Sequence, residues 1–169
     1  MRRSVWMAGV TVIAMAAGVV GAADIATLEK QLEEARNQAP ITVTPFLAVK
    51  GPAAYYGNYE PRKDTVYKSG EAMNFYAEPK NLAFPKNSQG VYKPSFAVDL
   101  EVTSSDGKSM KKPDFASFNL DSRSRIQDIY LNLDVTLTGA PPGKYKVKFT
   151  IRDKNSKKKA DFAQDVTIK

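Results

Sequence analysis

The sequence predicts an all-β fold, a sandwich of seven strands preceded by one short helix. Three observations carry that expectation. Short runs of alternating apolar and polar residues occur at 41–49, 72–78, 95–103, 109–119, 126–138, 144–153 and 160–168. Turn residues such as Asp106-Gly107 and Pro142-Gly143 separate them, and nothing after Pro40 shows a helical period. Successive side chains on a strand point to opposite faces, so each run has an apolar and a wet face, and runs without intervening helices close into two packed sheets.

Residues 1–23 read as a secretory signal peptide. Arg2 and Arg3 give a positive start, Val5 to Val20 is apolar, and Gly21-Ala22-Ala23 suits cleavage. The apolar stretch is short for a membrane span and no basic stop follows it, so no stable membrane anchor is expected after cleavage. The expected location is the periplasm or the medium outside the cell. Of the 25 basic residues, Arg2 and Arg3 leave with the signal, so 23 face 18 acidic ones. That mild excess suits an anionic envelope polysaccharide or an acidic envelope protein, and nucleic acid is not an expected partner outside the cytoplasm. The expected organisation is signal peptide 1–23, helix or linker 24–39 and sandwich domain 40–169.

Within 24–38, Ile25, Leu28, Leu32 and Ala35 recur at spacings of three, four and three. That places them on one stripe of a helix, with Glu29, Lys30, Glu33, Glu34 and Arg36 around the rest. Two such heptads are too few for a stable isolated coiled coil, so the segment reads as a short helix or as a site of self-association through residues 25–35. Pro40 ends it.

The run 41–49 contains Pro45, which fits an edge strand. Residues 51–63 form a loop carrying Tyr55, Tyr56 and Tyr59. Clustered loop tyrosines offer flat contact area at low entropic cost, so they form a candidate binding surface; the structural alternative packs them over the open end of the sandwich. Glu71 precedes the second run, 72–78, and Glu78 ends it. Seven apart on a strand they would point to opposite faces, a poor arrangement for a catalytic pair.

In the run 95–103, Phe96, Val98, Leu100 and Val102 face inward, with Asp99 and Glu101 outward. Asp106-Gly107 turns the chain into 109–119, a weaker strand interrupted by Pro113. In 126–138, Ile129, Leu131, Leu133, Val135 and Leu137 alternate with polar residues. The last two runs suggest a register. With Lys154 to Lys159 as the loop, Asp153 faces Ala160, Ile151 faces Phe162, Lys148 meets Asp165 and Arg152 meets Asp161. Lys157, Lys158 and Lys159 then sit on the turn, either as a solubilising tip or as an electrostatic contact for an anionic partner.

The corner Leu137-Thr-Gly-Ala-Pro-Pro-Gly-Lys-Tyr145 resembles the tyrosine corner of immunoglobulin-like and fibronectin type III-like domains, with Pro142, Gly143 and Tyr145 matching. That resemblance implies a sandwich of that kind in which the Tyr145 hydroxyl bonds back to the upstream backbone, and it implies no activity. The stretch from Tyr67 through Gly70-Glu71 to Glu78-Pro79 is similar to exported bacterial sandwich proteins.

The chain has no cysteine and no histidine. Thiol nucleophiles, Ser-His-Asp triads, histidine or thiolate zinc sites and disulfides are excluded. No cofactor motif appears. Asp99, Glu101, Asp106, Asp121 and Asp128 could only gather as an oxygen-ligand cation site, and no calcium-loop spacing supports one. The expected function is an exported, non-catalytic binding or protein-interaction module of the cell envelope. The alternatives are an envelope polysaccharide-acting enzyme using carboxylates, or an accessory subunit that pairs through a sheet edge.

Overall fold

The computed structural model describes residues 24–169, and the expected signal peptide lies outside the described residues. In chain order the elements are α1 (Ile25–Gln38), β1 (Thr42–Val49), β2 (Val66–Tyr67), β3 (Ala72–Lys80), β4 (Ser95–Ser104), β5 (Ser109–Asn119), β6 (Leu131–Thr136), β7 (Gly143–Asp153) and β8 (Lys159–Ile168). They form two sheets, β1-β3-β6 and β2-β8-β7-β4-β5. All pairings are antiparallel except the short one between β2 and β8. No helix among the described residues is long and apolar enough to cross a membrane.

The core lies between the sheets and follows the alternation. Phe96, Val98, Leu100 and Val102 of β4 are buried, as are Leu131, Leu133 and Val135 of β6 and Val147, Phe149 and Ile151 of β7. Phe149 is the hub, its ring 5.7 Å from that of Phe75 in the opposite sheet and 5.5 Å from that of Phe162. Burial of side chains like these, at about 1.5–3 kcal/mol each, holds the two layers together without a disulfide.

The seven expected strands are present with shifted ends. An eighth, β2, is only two residues long and leaves almost no pattern to read. β6 is shorter than the expected 126–138. The chain ahead of it is held by α1 instead of by a strand: Arg125 pairs with Glu33, and Gln127 accepts a bond from Arg36 at 3.4 Å. Pro113 does not interrupt β5. It sits in a bulge on this edge strand, where Asp114 takes φ 48° and donates its N–H to Asp99 at 2.8 Å.

The β7–β8 register differs from the expected one by two residues. Ile151 faces Ala160, Phe149 faces Phe162 and Tyr145 faces Val166. The turn explains the difference. The Asp153 carboxylate accepts the N–H of Asn155 at 2.8 Å and that of Ala83 at 2.7 Å, so the chain reverses around Asp153 to Lys158. A slip of two keeps every side chain on its face, so hydrophobic alternation cannot detect it. The expected pairs Lys148–Asp165 and Arg152–Asp161 are replaced by partners from β4 and, for Arg152, also from β5. Lys148 meets Glu101 at 2.6 Å, and Arg152 grips Asp99 at 2.7 and 2.9 Å and Asp114 at 2.9 Å.

Candidate functional site

The tyrosine loop is mostly consumed by the fold, and not at the end of the sandwich. It closes over the outer face of β1-β3-β6. Tyr76 points outward from the middle of β3 yet is fully buried. Tyr59 stacks on it at 4.3 Å and Tyr130 at 5.9 Å, and Val49 and Ala53 complete a small second core. The loop can reach this position because Gly57, at φ 73°, turns where a side chain would be strained, and its N–H donates to the Tyr76 hydroxyl at 2.8 Å.

Below that lid lies a closed polar network around buried Glu78. Tyr76 donates to one carboxylate oxygen at 2.8 Å and Tyr56 to the other at 2.6 Å. Lys80 donates to the Tyr56 hydroxyl at 2.6 Å and to Glu78 at 2.9 Å. Burial works against the charge of Glu78, but the bonds from Tyr56, Lys80 and Tyr76 outweigh it and hold its carboxyl below the ordinary value. Burial pushes Tyr76 up to about 12. With its donors and acceptors matched to one another, the cluster acts as a lock on the loop. Of the three candidate tyrosines only Tyr55 stays open, 64% exposed.

The lysine turn divides in the same way. Lys157 and Lys159 are exposed, but Lys158 is half-buried. Its ammonium donates to the carbonyls of Arg36 at 3.2 Å, Asn37 at 3.3 Å and Ala39 at 3.3 Å, and to that of Asn81. The last carbonyls of a helix have no partner within it, and they carry the negative end of its dipole. Lys158 therefore caps α1 from another element. The sequence hint was indirect: α1 ends at Ala39-Pro40, without the glycine that commonly closes a helix.

Helix α1 itself is capped at both ends but held to the domain only through its last turns. Asp24 caps it by accepting the Thr27 N–H at 2.9 Å. Arg125, lying 4.2 Å over the Phe84 ring, binds Glu33. The apolar stripe turns away from these contacts. Ile25 is 76%, Leu28 51% and Leu32 49% exposed, and no residue of the helix is buried.

Four of the five acidic candidates for a cation site are individually paired. Asp99 pairs with Arg152, Glu101 with Lys148 and Lys111, Asp106 with Lys108, and Asp121 with Lys93. Among the described residues no group of three acidic side chains is placed to hold a metal ion. Glu71, outside β3, bonds the Lys68 N–H and Arg62, far from any role with Glu78. An open groove of about 740 Å³ lies at one end of the sandwich, bordered by Met110, Leu137, Pro142 and Tyr145. The Tyr145 hydroxyl is engaged there by the Pro141 carbonyl at 2.8 Å.

Compared with protein-family models and with curated protein sequences, the chain matches none.

Proposed function

We propose that this protein is an exported, non-catalytic interaction module of the cell envelope, an immunoglobulin-like sandwich that presents α1 as a docking arm. The observation that carries the reading is the stripe Ile25, Leu28 and Leu32, left in water on a helix fixed to the domain. Exposed apolar side chains in one line on a secured element are the usual form of a helical recognition surface. The sandwich type is supported by the strand order. β1, β3 and β6 stand where strands A, B and E of an immunoglobulin domain stand, and β5, β4, β7 and β8 stand as C′, C, F and G. The Tyr145 bond to Pro141 matches the tyrosine corner.

The test is co-sedimentation with isolated envelope fractions, using the chain produced with residues 1–23 and purified as the cell leaves it. Wild type is compared with Leu28→Glu/Leu32→Glu and with Lys157→Ser/Lys159→Ser, which spares the structural Lys158. The arm variant should lose binding, and the lysine variant should change only its salt dependence. Equal binding by wild type and the arm variant would remove α1 from the interaction.

A further inference from the structure

We propose that the arm docks a second copy of this chain, with the two α1 helices antiparallel along their apolar stripes. This rests on the reading of α1 as a docking arm and names its partner. The stripe is complementary to itself when reversed. Leu28 of one copy lies opposite Leu32 of the other, and Ile25 opposite the small Ala35, so each layer joins a large side chain to one it can accommodate.

The flanking charges choose the direction. Glu29 and Arg36 border the stripe on one side, and Asp24, Gln31 and Gln38 border it on the other. Parallel helices would bring Asp24 of each copy beside Glu29 of the other, two like-charge contacts. Reversed helices part Asp24 from Glu29, setting Asp24 beside the other copy's neutral Gln38, and bring each Glu29 within reach of the other copy's Arg36, so that two attractive pairs outweigh the one approach of Glu29 to its own copy at the centre. The attachment leaves room for this. Ile25, Leu28, Leu32 and Ala35 are all exposed, so the domain does not cover the stripe, and the side chains that hold the helix, Glu33 and Arg36, lie on one flank of it, roughly a third and a sixth of a turn from its centre. Each sandwich therefore sits to one flank of its own helix, and the two attachment points fall at opposite ends of the pair.

A 14-residue helix offers far less than a standard-size interface, so the association is weak and concentration-dependent. A covalent trap detects such a pair, and the cysteine-free chain makes the trap specific. Full chains carrying Leu28→Cys or Leu32→Cys are oxidised separately and mixed, with circular dichroism confirming that each is folded. The antiparallel pair places position 28 against position 32, so disulfide-linked dimer should accumulate in the mixture and be scarce in either chain alone. Dimer from Leu28→Cys alone would indicate parallel helices and overturn the proposal, as would no dimer in any tube. If no dimer forms but Leu28→Glu/Leu32→Glu still abolishes envelope binding, the second copy is wrong and the docking arm stands. If dimer forms as expected while envelope binding ignores the arm, the copies pair and the envelope contact lies elsewhere.

Discussion

Lys158 shows how little a residue's type says about its task. Two of three consecutive lysines are solvated, and the third closes a helix more than a hundred residues away in sequence. Replacing it with methionine keeps much of the stem but leaves the α1 carbonyls without their donor. Charge-assisted bonds of this sort contribute about 1.5–3 kcal/mol when well buried, and less here because the site is partly open. Amide exchange over residues 33–39 should quicken in Lys158→Met and stay unchanged in Lys157→Met. Equal protection in both variants would show that the cap does not hold the helix.

At the scale of elements, the tyrosine loop is a lid on a sheet face. Tyr59→Ala removes half of the stack on Tyr76 and should cost about 2 kcal/mol in urea unfolding, below the range for a fully buried aromatic ring. Tyr55→Ala, whose ring is exposed, should change little. A Tyr59→Ala protein as stable as wild type would mean that the lid is not part of the cooperative fold. The strands were legible because alternation is written locally, residue by residue, as in β4 and β6. The lid was not, because β3 buries both faces and its outer cover comes from a loop whose tyrosines read equally well as surface or as packing. The β7–β8 register escaped for a similar reason. The side-chain contacts of Asp153 that set the turn include Ala83, which no local pattern connects to it. The helix stripe was visible from its spacing, but its exposure depended on where Arg125 and Lys158 would hold it.

Over the whole molecule, acid should unfold the protein through carboxylates gathered on the five-stranded sheet, along β4 and its turn into β5. Glu101 is held down to about 2, first by Lys148, then by Ser109 and Lys111, against 4.5 ordinarily. Lys108 likewise holds Asp106 at about 2, and Arg152 lowers Asp99. A carboxyl whose folded value lies below its unfolded value stabilises the fold above the unfolded value, and that contribution fades as pH falls toward the folded one. Stability should therefore decline from about pH 4.5 to about pH 2, with Glu101→Gln showing a shallower decline. Urea midpoints that stay level across that window would contradict the assignment.

The cap on α1 also sets how the protein carries mechanical load. A pull on the arm reaches the domain through the Lys158 ammonium and the Arg125–Glu33 pair as well as through the chain itself. Lys158 lies on the tip between β7 and β8, and β7 is bonded along its length to both β8 and β4. Tension arriving there passes through β7 into β4 in the middle of the five-stranded sheet, so an anchored arm would bear force through paired interior strands and spare the edge strand β5.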